Sequence, residues 1–245
     1  MASIAMLFLN NGTKGTTRLL SNTAINNMAV DQTQNTFKPV HSNAWAYGLG
    51  WDSVSQPGLL AVGFDGWAKG GDSSDYGSAL IVSPKAGLGI IVIGASGFGS
   101  GQATALAERI LLRALAENGK LATFPSPLTS ESIQKKSIPN EQTTKLDGEY
   151  ASSSFILQFL TKTNRAVQAF ILSGTGFIPA GPIMNYTEGG WFASKQNPLN
   201  AFKVAEAELQ GKPTQYIIKS APAGYGHYLD SMVFSQKITS TATGL

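Results

Sequence analysis

The 245-residue sequence contains no cysteine. Disulfide staples, thiolate zinc sites and cysteine nucleophiles are therefore excluded, and the redox compartment leaves no mark. Charge is sparse: Asp, Glu, Lys and Arg make up 13% of the residues, and the net charge is +3. The only adjacent basic pair is Lys135-Lys136. A surface that tracks a phosphate backbone gathers Lys and Arg densely, so the sequence argues against a nucleic-acid partner. No run reaches the ~20 apolar residues of a membrane-spanning helix. The apolar N-terminus lacks the basic start of a secretory signal and reads as a helix over 2–9. Two histidines occur, His41 and His227. Each lies in a loop or turn and reads as a solvated or packing residue.

What is present suffices for a core. Hydrophobic residues make up 42% of the chain. Its length fits one large or two ordinary domains. The most informative stretch is 64–96, FDGWAKGGDSSDYGSALIVSPKAGLGIIVIGAS. Two short apolar runs, 78–83 and 88–94, flank Pro84-Lys85-Ala86-Gly87, which predicts an antiparallel hairpin buried on both faces. Before it comes Lys69-Gly70-Gly71, a cation beside two residues without Cβ atoms. On a strand next to a cleft, such a tripeptide offers an ammonium and open backbone N–H groups to an anion.

Elsewhere, Ser21 reads as the N-cap of a helix over 22–29. Residues 13–20 read as a polar loop, and 46–53 as a strand with Tyr47, Leu49 and Trp51 on one face. Residues 59–64 read as a further short strand. Residues 102–117 carry apolar positions at three- and four-residue steps and close on Asn118-Gly119, which predicts a helix. Pro125, Pro127 and Pro139, with many Ser, Thr and Gln, give 120–145 the composition of a linker. Residues 146–238 break into about eight short β segments, as in a small antiparallel barrel or sandwich. The tail 239–245 reads as frayed.

In this order of features the chain resembles the serine β-lactamase-related family: class C β-lactamases, D,D-peptidases and related serine esterases. The stretch WAKGGDSSDYGSALIVSPKAGLGIIVIG is similar to the family's third motif, Lys-(Thr/Ser/Gly)-Gly or His-x-Gly. It is followed, as in the family, by a Gly/Ser/Tyr-rich turn and two apolar strands. Tyr47-Gly48-Leu49-Gly50-Trp51 is similar to the strand that enters the same sheet. The resemblance covers the first half of the chain. The opening Leu146-Asp147-Gly148-Glu149-Tyr150 resembles the small lipocalin-like domain appended to some relatives. These resemblances imply an α+β protein: a partial β-lactamase-like antiparallel sheet with flanking helices, then a small antiparallel β-barrel or sandwich. The expected boundaries are 1–119 for the first domain, 120–145 for the linker and 146–238 for the second domain.

By resemblance Lys69, Gly70 and Gly71 would bind substrate, a β-lactam, peptide or ester, and the backbone at 75–77 would lie near the oxyanion side. The family's Ser-x-x-Lys nucleophile and Tyr-x-Asn motif are not where they belong. Ser132-Ile133-Gln134-Lys135 has the spacing but follows the third motif, inside the linker stretch. No nucleophile or base is assigned, so the chain is expected to be the C-terminal part of such a hydrolase, inactive alone. No cofactor and no metal are expected. The compartment is left open, and the resemblance is compatible with an extracellular or periplasmic parent.

Two rival readings stand beside this one. The chain could be a non-catalytic small-ligand or protein-binding module built on the C-terminal β domain, with self-association through an open sheet edge. Alternatively, Asp65, Asp72 and Asp75 with Lys69 could form a metal-assisted site, although aspartates beside glycine are more often turn formers.

Overall fold

A computed structural model describes residues 2–32, 37–38, 46–132, 136–152, 155–162, 166–187, 190–209, 212–222, 224–225 and 227–238. The chain is α+β, with antiparallel sheets. It divides into two compact units. The first comprises 1–33, 43–128 and 221–229, and the second 34–42, 129–220 and 230–245.

The first unit is built on three strands: β4 (Trp67–Asp72), β5 (Tyr76–Ser83) and β6 (Leu88–Ala95), in the order β4-β5-β6. The hairpin forms where the apolar runs and the Pro-Gly turn predict it, pairing Ser83 with Leu88 and Tyr76 with Ala95. It is not buried on both faces throughout. Strand β5 is buried along most of its length, whereas β6 is half-exposed and Ile93 is 63% exposed. The reason is position: among the described residues β6 pairs with β5 alone.

Helices cover both faces of this sheet. α4 (Ser100–Glu117) lays Ala103, Ala107, Leu111, Leu112 and Leu115 against Ala79 and Ile81. On the other face α1 (Ala2–Leu9) sets Phe8 against Trp51 and Trp67, with ring centroids 4.8 and 6.4 Å away. α2 (Asn22–Ala29) adds Ile25 to that cluster and is capped by Ser21, whose Oγ accepts from the Ala24 N–H at 3.0 Å. The loop read between these helices carries a two-residue hairpin, β1 (Thr13–Lys14) with β2 (Thr17–Arg18).

Two local readings are corrected. Residues 46–53 are not a regular strand. Gly50 takes a left-handed φ of 78°, and the segment turns through the Gly48–Trp51 bridge before Ser53 bridges Ala68. Trp51 is buried, while Leu49 points out. Residues 59–64 are not a strand either, because Pro57 opens a short helix, α3 (Pro57–Ala61). Proline is preorganised for the first helical position, where its missing N–H costs nothing.

The second unit is one ten-stranded sheet among the described residues. Its strands are β3 (Phe37–Lys38), β7 (Gly148–Ala151), β8 (Ile156–Thr161), β9 (Val167–Ser173), β10 (Gly176–Pro179), β11 (Asn185–Tyr186), β12 (Phe192–Ser194), β13 (Asn197–Leu209), β14 (Lys212–Pro222) and β15 (His227–Lys237). The order is β10-β9-β8-β7-β15-β14-β13-β12-β11, with β3 also on β13. The sheet curls until Val167 of β9 bridges Met184, next to β11. Among the described residues that single bridge leaves it a curled sheet, not a closed barrel. Tyr150, Phe159, Phe192 and Ile217 are fully buried in its core.

The stretch of linker composition is not featureless. It holds a 3-10 turn at Ser130–Ser132 and α5 (Asn140–Leu146). The Leu-Asp-Gly-Glu-Tyr run that follows α5 is a structural clasp. The Tyr150 hydroxyl lies 2.9 Å from the Lys145 carbonyl oxygen and 2.8 Å from that of Leu146, so its proton serves the last carbonyls of the helix. Asp147 Oδ1 accepts from both the N–H and the hydroxyl of Thr161, each at 2.7 Å. Gly148 sits at φ 137°, and a Cβ there would lie 2.9 Å from Lys237 Cε. Helix-end carbonyls need such partners when buried. Tyr150→Phe is therefore expected to cost about 1–2 kcal/mol, read as a lower urea midpoint at unchanged slope. An unchanged midpoint would show the clasp to be idle.

Candidate functional site

The Lys-Gly-Gly tripeptide lies on β4, with Lys69 opposite Leu80, Gly70 opposite Ala79 and Gly71 opposite Ser78. Lys69 shares a face of β4 with the buried Trp67 but lies beyond the packed part of the strand, and its side chain is 49% exposed. Its ammonium is not free. Lys69 Nζ donates to Asp52 Oδ2 at 3.1 Å and to the Gly70 carbonyl at 2.6 Å. The Gly70 N–H donates to the same Asp52 oxygen at 2.7 Å. Asp52, 17 residues upstream, is brought there by backbone pairing: its own N–H and that of Ser53 both donate to the Ala68 carbonyl.

A second carboxylate closes the far end of β4. Asp72 accepts from the Ser100 N–H at 2.6 Å and from the Ser100 hydroxyl at 2.5 Å. Ser100 is the first residue of α4, whose N-cap position is Gly99 and has no side chain to offer. Asp72 supplies that cap from the sheet, where a carboxylate also meets the positive end of the helix dipole. Gly70 is the residue that lets these groups meet. A Cβ there would lie 3.1 Å from Ser100 Cβ and 3.3 Å from Asp52 Oδ2.

The other sequence-derived candidates separate. Asp65 Oδ1 accepts from the Ser83 hydroxyl and the Lys85 N–H, binding the hairpin turn. Asp75 accepts from the Ser74 hydroxyl. With Asp72 committed to α4, the aspartates of the metal reading act as local turn and cap residues. Among the described residues no group of three His, Asp or Glu side chains is placed to hold a metal ion. Gly77, in the stretch read as near the oxyanion side, is buried under the Phe98 carbonyl and Gly99. Ser132 lies in the 3-10 turn, and Lys135 falls outside the described residues, as does His41. His227 is placed on β15, and its side chain lies outside the described atoms. Among the described residues, no helix is long and apolar enough to cross a membrane.

Two buried ionisable residues escape a sequence reading. Glu108 of α4 accepts from the Gly58 N–H at 2.8 Å, so it caps α3 from a neighbouring helix. Burial pushes its carboxyl up to about 8, against the pull of the Gly58 and Leu59 N–H groups. Among the described residues its second oxygen is buried without a hydrogen-bond partner. Lys203 of β13 is 1% exposed, with Nζ 5.4 Å from the centre of the Trp191 ring. Burial brings its ammonium down to about 8.

No protein-family model matches the chain, and no curated protein matches it. Solved structures give weak, fold-level likeness. The crystal structure of SurE with D-Leu is 14% identical, with a TM-score of 0.43 over 90% of this chain and 44% of that one. The octameric penicillin-binding protein homologue from Pyrococcus abyssi is 13% identical, with a TM-score of 0.36 over 94% and 44%. SurE without that qualifier is 15% identical, with a TM-score of 0.41 over 90% and 43%. The chain thus spans less than half the length of these solved structures.

Proposed function

We propose that this chain is the C-terminal part of a β-lactamase-related serine hydrolase, with Lys69, Gly70 and Gly71 forming one wall of a cleft for a β-lactam, peptide or ester. The observation that carries this reading is the corner at β4. An outward lysine beside two glycines runs antiparallel to an apolar hairpin, and the N-terminus of α4 is tied to the end of the same strand. A lysine and a backbone N–H converging on one oxygen is the donor pair that a carboxylate or a developing oxyanion requires.

Chemistry needs more than that wall. A serine attacks only with a base within hydrogen-bond reach, and the described residues assign neither partner. The chain alone is therefore expected to give no covalent label with a fluorescent penicillin or a fluorophosphonate. A stoichiometric labelled band would overturn its inactivity. The family reading has a separate test in the coding sequence upstream of Met1. An in-frame Ser-x-x-Lys followed by Tyr-x-Asn is expected, and unrelated sequence there would sink the hydrolase assignment. Unit 2 remains the rival: its buried Lys203 beside Trp191 gives it a polar feature of its own, but its core face is filled by side chains.

A further inference from the structure

The donors that would receive an anion already hold one. Lys69 Nζ and the Gly70 N–H both point to Asp52 Oδ2, at 3.1 and 2.7 Å. The geometry is that of a bound carboxylate: one ammonium and one backbone amide on a single oxygen. Asp52 is not a loose surface partner. Its side chain is only 11% exposed, and its backbone is fixed by the bond to Ala68 and the Ser53–Ala68 bridge. The corner is also shaped around that oxygen, because any side chain at residue 70 would crowd both it and Ser100. Asp72 lies at the end of the same strand, engaged with Ser100. Asp52 therefore offsets the Lys69 charge at the position that an incoming anion would take.

We propose that Asp52 is an internal occupant of the carboxylate position formed by Lys69 and Gly70, and that it keeps this corner closed to anionic ligands until its side chain swings away. The inference rests on the reading of Lys-Gly-Gly as an anion-binding wall, and adds that the wall is shut by the chain itself. A purely structural ion pair makes a different forecast. Removing Asp52 would then lower stability slightly and create no new binding.

The test uses the full chain, with acetate and N-acetylglycine as probes and the amide resonance of Gly70 as the readout. Wild type is expected to give only a weak, non-saturating shift. Asp52→Ala, which frees both donors, is expected to give a saturable shift and to bind acetate at least about tenfold more tightly, or 1.4 kcal/mol. Adding Lys69→Ala to that variant is expected to abolish the gain. A folded Asp52→Ala protein that responds to acetate like wild type overturns the proposal. If Asp52→Ala does not fold, Asp52→Ser serves. Its shorter, uncharged side chain withdraws the carboxylate from both Lys69 and the Gly70 N–H. A gain over wild type supports the proposal, and equality overturns it. The hydrolase reading stands or falls separately on the upstream coding sequence. A failed acetate result with the upstream motifs present would remove only the internal occupant, and acetate binding without those motifs would remove only the hydrolase.

Discussion

Glu108→Gln is expected to flatten the pH dependence of stability between about pH 4.5 and 8. The carboxyl lies on α4 beneath two other segments of the same unit. Gly58 of α3 meets it from one side, and a Cβ at Gly58 would come 2.9 Å from Glu108 Cδ and 2.8 Å from Tyr225 Cγ. The side-chain amide of Gln56, which precedes α3, is fully buried and has no hydrogen-bond partner among the described residues. Arg109 and Glu108 both act electrostatically on Tyr225. One Glu108 oxygen is served by the Gly58 N–H and the other by no group among the described residues, so the charged form is poorly solvated where it sits.

The sign follows from proton binding. Burial raises the folded carboxyl from the 4.5 of a free glutamate to about 8. Across that window the folded protein holds a proton that the unfolded chain has released. The stabilisation is complete below pH 4.5 and is lost as pH rises through 8, at about 1.4 kcal/mol per pH unit. Wild type should therefore melt roughly 10 °C lower at pH 8 than at pH 5, taking a few degrees per kcal/mol. The glutamine keeps an oxygen for the Gly58 N–H and never ionises. Its melting temperature should match wild type at pH 5 and exceed it at pH 8. Parallel melting curves for the two proteins across this range would show that Glu108 is already ionised or solvated in the fold.

Much of the first unit was legible in the residues. The β5–β6 hairpin follows from two apolar runs about a Pro-Gly turn, and α4 from its apolar stripe. α3 was missed because five apolar residues carry no period that separates a strand from a helix. The usable signal was Pro57 at its first position. Lys69-Gly70-Gly71 could be picked out as a candidate because the cation and the glycines are adjacent in sequence. Asp52 could not, since only the Ser53–Ala68 bridge brings it to Lys69. Ser100 was equally silent, separated by 28 residues from the Asp72 that it contacts. Glu108 did leave a trace: it interrupts the stripe of Thr104, Ala107, Leu111 and Leu112, all buried on α4. A charge at such a position needs a partner across the core. Lys203 breaks the run Ala201-Phe202-Lys203-Val204 in the same way. Its burial became visible only once β13 was found to be covered on both faces there.

The largest single-site loss in the first unit is expected at Gly77. It faces Gly94 across the β5–β6 pair, and the two glycines together open a slot on the sheet. Ser96 and Gly97, both left-handed at φ 59° and 83°, fold the chain back into that slot after β6. Phe98 then lays its ring over Gly94, and its carbonyl passes over Gly77 on the way to α4. A Cβ at Gly77 would lie 2.1 Å from the Phe98 oxygen and 2.3 Å from Gly99 C. These are backbone atoms, held at one end by the turn and at the other by the Asp72 cap on Ser100, so they cannot step aside cheaply. A Cβ at Gly94 would lie 2.0 Å from the Phe98 ring, which is a side chain and can rotate away. Gly77→Ala is accordingly expected to cost about 3 kcal/mol or more, and Gly94→Ala less, both read by denaturant unfolding. The ranking is the sharper test. If Gly94→Ala proved the more damaging, the packing of the Phe98 ring, and not the backbone crossing at Gly77, would be what fixes α4 to the sheet.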